Sequence, residues 1–280
     1  MLELHSFNSW KDDQKVFFDH EQPLDPKGVA VLIHGFGEHS GRYTQSVIPF
    51  LIAQGQAVLY YDNLGHGKTD GPRGYCQGYE ELLDLLEYII TKATDLYPEL
   101  PLFLYGHSMG GNLALNLVLR RSTPVSGVIA TSPYLRLAYQ PPGWKMKLGR
   151  ILQRIAPRFA MPSGLDPEGI SSIPDEVEKY REDPLVHDKI TPNYAFPVMD
   201  AGDWTIKNAD QLAIPTLVVH GKKDPIIDHR GSVEFADGTD YSKLVLLNEG
   251  LHELHHDVSR EKLFQHIAKW FTDYYNDLEG

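Results

Sequence analysis

The chain has 280 residues, 42% hydrophobic and 23% charged, which is long and apolar enough for one large core and argues against a disordered chain. Lys and Arg number 26 against 38 Asp and Glu, a formal net charge of −12, so a phosphate backbone would repel the protein and nucleic acid is not an expected partner. The single cysteine, Cys76, excludes an internal disulfide and fits a reducing compartment.

The first residues, Met1–Phe7, hold no basic segment followed by a long apolar run, so no secretory leader is expected. No stretch reaches about 18 consecutive apolar residues, so no membrane-spanning helix is expected, and a cytoplasmic location is the simplest expectation. Short apolar runs bounded by turn residues then follow one another. They are Val29–His34, Ala57–Tyr61, Leu102–Tyr105, Val128–Thr131, Thr216–His220 and Lys243–Leu247. Runs of this length, rich in Val, Ile and Leu and without alternation, predict strands buried on both faces. Helical spacing lies between and after them. Leu82, Leu83, Leu85, Leu86, Ile89 and Ile90 mark Tyr79–Lys92; Leu113, Leu115, Leu117, Val118 and Leu119 mark Asn112–Arg120. Leu263, Phe264, Ile267, Trp270 and Phe271 mark Arg260–Tyr275. Alternating strands and helices predict an α/β architecture, a mostly parallel sheet of about eight strands with helices on both faces.

The alternation stops between Tyr134 and Asp203. This stretch is rich in proline and contains one clear helical pattern, Trp144–Ile155. A structureless loop of that length would be unusual, so residues 134–203 are expected to form an inserted helical cap on a core made of 1–133 and 204–280.

Gly106-His107-Ser108-Met109-Gly110 is a G-x-S-x-G motif directly after one predicted strand and directly before a predicted helix. That strand–turn–helix setting is the nucleophile elbow of the α/β-hydrolase fold, in which a serine projects above the sheet at a helix N-terminus. A serine hydroxyl needs a base, and in this fold the acid and then the histidine follow in the chain. Asp224 follows the strand Thr216–His220, and His252 follows Lys243–Leu247. Asp228 and Asp257 compete for the acid role, and His255 and His256 for the base, but Asp224 lies nearer its strand end and the other histidines lie further into the last helix's approach. The oxyanion hole needs two N–H donors; Met109, after the nucleophile, and Phe36, in the loop after the first long strand, are the candidates.

His34-Gly35-Phe36-Gly37-Glu38-His39-Ser40-Gly41-Arg42-Tyr43 closely resembles the oxyanion-loop signature of monoacylglycerol lipases. Gly106–Gly111, Asp183-Pro184-Leu185 and Glu249–Leu254 are also similar to that family, and the resemblance runs from about residue 10 to the C-terminus. It implies hydrolysis of single-chain acyl glycerols to glycerol and fatty acid through an acyl-enzyme, with no cofactor and no metal. Lysophospholipases and general carboxylesterases share these motifs and remain the alternative. The resemblance also makes Glu38 and Arg42 candidates for substrate binding near the glycerol end. In Asp62–Gly67, Leu64 stands where an arginine is common in the family.

The expected partner is an acyl-ester lipid. The apolar stripe Trp144, Met146, Leu148, Ile151, Leu152 and Ile155, interleaved with Lys145, Lys147, Arg150 and Arg154, either packs over an acyl pocket or also touches a lipid interface. No protein partner is implied. Three rivals carry less. His252-Glu253-Leu254-His255-His256 matches the H-E-x-x-H zinc signature, but it follows a strand and a glycine instead of lying on a helix. A proline-type aminopeptidase would need a carboxylate for a free amine, and Glu176, Glu178 and Glu182 read better as a solvated helix face. A binding module without catalysis would leave the assembled catalytic parts without a use.

Overall fold

The computed structural model describes residues 7–279; the expectation of no leader rests almost wholly on residues outside that range. The main sheet has eight strands: β1 (Phe7–Ser9), β2 (Lys15–Glu21), β3 (Gly28–Ile33), β4 (Gln56–Tyr61), β5 (Leu102–His107), β6 (Val125–Thr131), and, after a short ribbon of β7 (Met161–Pro162) and β8 (Lys189–Ile190), β9 (Thr216–Gly221) and β10 (Ser242–Leu247). Their order is β1-β2-β4-β3-β5-β6-β9-β10; β2 pairs antiparallel with both its neighbours, β1 and β4, and every other pair is parallel. The expected mostly parallel sheet of about eight strands is what the chain forms.

Among the described residues the α-helices are α1 (Val47–Ala53), α2 (Tyr79–Leu96), α3 (Met109–Arg120), α4 (Gly143–Ile155), α5 (Pro174–Glu182), α6 (Pro192–Lys207), α7 (His229–Asp237) and α8 (Arg260–Glu279). Strands β3, β4, β5 and β9 are buried at every position, which accounts for their unbroken apolar runs. Successive side chains go to opposite faces. Val29, Val31 and Ile33 join the core under α2, α3 and α7, while Ala30 and Leu32 join the core under α1 and α8.

Between β6 and β9 the chain leaves the sheet for α4, the ribbon, α5 and α6. The expected boundary at Asp203 falls inside α6, whose Tyr194, Val198 and Ala201 pack into the main core. Pro197 inside α6 has no N–H for the Asn193 carbonyl four residues back, and the Cys76 thiol stands 4.0 Å from that oxygen. Cys76 is buried, and burial pushes its thiol up, so it is a packing residue and not a nucleophile.

Helix α4 forms where expected, but its apolar stripe does not all face inward. Trp144, Leu148, Ile151 and Ile155 are exposed, Trp144 by 65% and Ile155 by 74%. The inward side is set by Gly149, which lies flat against the Phe196 ring of α6; a Cβ there would run into the ring. Met146 and Leu152 are half-buried, and the larger apolar groups are turned outward.

Candidate active site

Ser108 lies in the turn between β5 and α3 with φ 52° and ψ −114°, a left-handed conformation costly for a residue with a Cβ. The strain is held by backbone bonds: Ser108 N–H donates to Thr131 O (2.9 Å), and Ser108 O accepts from Asn112 and Tyr134. The turn is tight enough that a Cβ on Gly110 would land on the Ile33 carbonyl, so glycine is required there. Ser108 is buried, and its hydroxyl has no hydrogen-bond partner among the described residues.

The loops after β9 and β10 bring Asp224 and His252 to the same end of the sheet. His252 Nδ1 donates to Asp224 Oδ2 at 2.7 Å. The His252 carbonyl accepts the Ser132 hydroxyl at 2.8 Å, and its ring lies 4.9 Å from that of His107, the residue before Ser108. Asp224 Oδ1 accepts the N–H groups of Ile226 (2.8 Å) and Ile227 (2.9 Å). Burial works against the charged form of both groups. For His252 the Asp224 charge and bond, with Glu253 and Glu38 behind them, outweigh burial and hold the imidazole above its ordinary value. For Asp224 the two imidazoles His252 and His220 outweigh burial and hold the carboxyl far below its ordinary value. His107 has burial first and His252 second against its charge, and is lowered to about 4.

The loop after β3 stands beside the elbow: a Cβ built on Gly35 would be 3.3 Å from Ser108 Cβ. Among the described residues, neither the Phe36 nor the Met109 N–H meets a protein acceptor, and Met109 opens α3. Two unspent N–H donors beside the serine are of the kind an oxyanion would need. Glu38 frames this loop. Its Oε1 accepts from Gly35 N–H (2.7 Å) and Tyr43 Oη (2.6 Å), and its Oε2 from Arg42 Nε (3.1 Å). Arg42 also binds Glu253, lies 3.3 Å from His256 Nδ1, and covers the Tyr180 ring at 4.7 Å. Glu38 is 2% exposed and spends both oxygens inside this frame, as Arg42 spends its Nε and one terminal nitrogen.

The Asp183-Pro184-Leu185 segment reaches the same loop. His39 Nε2 meets Asp183 Oδ2 at 2.9 Å, and His187 donates its backbone N–H to Gly37 O (2.8 Å) and its Nε2–H to Gly65 O (2.9 Å). The H-E-x-x-H residues do not share a helical face. His252 faces Asp224, while His256 faces Glu253 at 2.9 Å and Ser46 at 3.2 Å. Glu253, His255 and His256 are close enough together to hold an ion, but the Arg42 guanidinium already supplies the positive charge between two of them. Asp228 caps α7, and Asp257 accepts from Leu251 and Ser172, so neither acid competitor faces His252. Tyr43, His187 and His220 also belong to the site's frame, and no motif in the sequence marks the first two for that role. For His220 a signal existed, a polar residue at a strand end four positions before Asp224.

The sequence profile of the family described as "Serine aminopeptidase, S33" matches residues 24–259. The chain is 29% identical over 264 residues to a monoacylglycerol lipase of Mycolicibacterium smegmatis, covering 93% of this chain and 94% of that protein. It is 33% identical over 254 residues to an abhydrolase domain-containing protein of Dictyostelium discoideum, covering 89% of this chain and spanning only 27% of that protein. Its structure superimposes on the crystal structure of the monoacylglycerol lipase of Paleococcus ferrophilus with a TM-score of 0.84 at 32% identity, covering 92% of this chain and 99% of that one.

Proposed function

Because the chain belongs to the serine aminopeptidase S33 family of α/β-hydrolases, we propose that it is a serine ester hydrolase that cleaves monoacylglycerol to glycerol and a fatty acid. Ser108 is the nucleophile, His252 the general base and Asp224 the acid that orients it. The observation that carries this reading is the 2.7 Å bond from His252 Nδ1 to Asp224 beside a strained serine at a strand–turn–helix elbow. That bond fixes the tautomer, so Nε2 has a free lone pair for the serine proton.

In the first step Ser108 Oγ attacks the ester carbonyl while His252 Nε2 takes its proton. The N–H groups of Phe36 and Met109 stabilise the oxyanion. The imidazolium then gives its proton to the departing glycerol oxygen, leaving an acyl-serine. Water repeats the sequence and releases the fatty acid. Glu38 serves this chemistry indirectly, by holding Gly35 and thereby the Phe36 peptide in place.

The segment 134–203 acts as the cap over the acyl site. The exposed stripe Trp144, Leu148, Ile151 and Ile155, flanked by Lys145, Lys147 and Arg154, meets the lipid surface from which the substrate comes. The aminopeptidase reading would need an uncommitted carboxylate near Ser108, and Glu38 and Glu253 are both spent on Arg42.

The test is hydrolysis of a monoacylglycerol, a lysophospholipid, a short p-nitrophenyl ester and an aminoacyl-arylamide by wild type and Ser108→Ala. The expected result is preference for the monoacylglycerol and loss of at least roughly 10⁴-fold in kcat on Ser108→Ala. Cleavage of the short ester alone would reduce the protein to a general carboxylesterase. Full activity of Ser108→Ala would overturn the mechanism.

A further inference from the structure

The carboxylate of Asp224 receives more than the base requires. Its Oδ2 is shared by two imidazoles, His252 Nδ1 at 2.7 Å and His220 Nε2 at 3.1 Å. With the Ile226 and Ile227 N–H groups on Oδ1, four donors converge on one buried carboxylate. His220 comes from β9, on the face of the sheet that carries α7, and its side chain is fully buried. Its other nitrogen, Nδ1, lies 2.7 Å from the hydroxyl of Ser232 on α7. An ionised carboxylate only accepts, so His220 Nε2 carries the proton, and in the neutral ring Nδ1 accepts from the serine hydroxyl. Both ring nitrogens are therefore spent, one on the helix and one on the acid.

We propose that His220 is a positioning residue for the hydrolysis: an imidazole that ties Asp224 to α7 through Ser232, holds the carboxylate for His252, and takes part of its charge. A packing role alone would be met by an apolar side chain. Val218, the preceding residue on the same face of β9, meets it that way. A buried imidazole left without partners is costly, and here both ring nitrogens are matched. The consequence for His252 is direct. A carboxylate shared between two N–H donors stabilises the imidazolium less than one that faces His252 alone. His220 thus limits how far Asp224 raises the base, and keeps more of it neutral at the start of the reaction.

The charged and titratable groups around the pair are few. His229 of α7 faces His220 at 6.4 Å between ring centroids. His107 faces His252 at 4.9 Å, and the carboxylates of Glu253 and Glu38 act on it from further off.

The inference rests on the proposed Ser108–His252–Asp224 mechanism, and its test is separable from that reading. The measurement is the pH profile of kcat/KM with a chemistry-limited ester, for wild type, His220→Leu, His220→Gln and Ser232→Ala, with a melting curve for each. His220→Leu should move the acid limb upward by on the order of half a pH unit and lower kcat roughly 10-fold, with KM little changed. His220→Gln, whose amide N–H can still reach Asp224, should restore the limb. The low-field proton resonance of His252 Nδ1–H should shift in His220→Leu and return toward wild type in His220→Gln. A folded His220→Leu with an unmoved limb and unchanged kcat overturns the proposal, and so does a His220→Gln that behaves as His220→Leu. If His220→Leu does not fold, Ser232→Ala carries the test: a smaller upward shift supports the proposal, and an unchanged profile overturns it. Failure here leaves the dependence on Ser108 intact, whereas activity in Ser108→Ala would sink the mechanism itself.

Discussion

In the proposed mechanism His252 has to be neutral when the reaction begins and charged in the middle of it. Burial opposes the charge, and Asp224 more than offsets that opposition, so the folded protein holds the imidazole above its ordinary value. The sign for activity follows. The base works only when unprotonated, so kcat/KM falls as pH drops through the His252 value, and the acid limb lies above roughly 6.5. In Asp224→Asn the charge is gone and burial remains, so the limb should move below its wild-type position while kcat falls roughly 10³–10⁴-fold. A pH titration of initial rates checks both, and a limb that stays in place in Asp224→Asn would count against the pairing. Ser108, Asp224 and His252 could be nominated from the sequence because each follows a strand within a few residues, and the structure brings His252 and Asp224 to 2.7 Å of one another. The frame that Glu38 and Arg42 build was not legible. Motif resemblance carries a residue's identity, but not which protein groups it meets, here Gly35, Tyr43 and Glu253.

At the level of elements, the elbow is the place where shape dictates composition. Gly110 faces the Ile33 carbonyl so closely that Gly110→Ala must push β3 and α3 apart. The expected cost is about 1–3 kcal/mol, measured as a lower urea midpoint. An unchanged midpoint would mean that the elbow yields more easily than its geometry implies. Strands β3 to β6 and β9 could be read from sequence because they lie inside the sheet and sheet interiors demand apolar runs; β10, at the sheet's edge, was readable from its run Leu244–Leu247 alone. Strand β2 escaped notice because it pairs antiparallel near the sheet's edge and mixes Phe17 and Phe18 with Asp19, His20 and Glu21. Helix α1 is only seven residues and carries Pro49, so its apolar run has no readable period. Helix α6 was hidden by Pro192 at its first turn and Pro197 within it. Helix α4 was found by its period, but the period could not say which side Gly149 would press against Phe196.

The whole molecule carries a net charge of −12, yet α4 presents Lys145, Lys147 and Arg154 beside its exposed apolar stripe. Association with a lipid surface should therefore be oriented, cap first, and should favour anionic over zwitterionic vesicles. Raising the salt from about 50 to 300 mM should weaken it, because the Debye length shrinks below the reach of these exposed charges. Replacing Leu148 and Ile151 together by serine should lower the vesicle partition roughly 10-fold or more by removing apolar area. Turnover of a dissolved short ester should not change. Flotation with vesicles of both compositions measures this, and equal partition of wild type and variant would remove the cap from the binding surface.

The bond from His187 N–H to Gly37 O has a consequence of its own. The Phe36 peptide lies between two anchors, Glu38 on Gly35 from the core side and His187 on Gly37 from the cap side. In the proposed mechanism, docking of the cap and readiness of the Phe36 donor are therefore coupled. By reciprocity, whatever free energy the docked cap lends to a developing negative charge at Ser108, that charge returns to the docked cap. The enzyme should therefore be most tightly shut at the moment it is most nearly reacting.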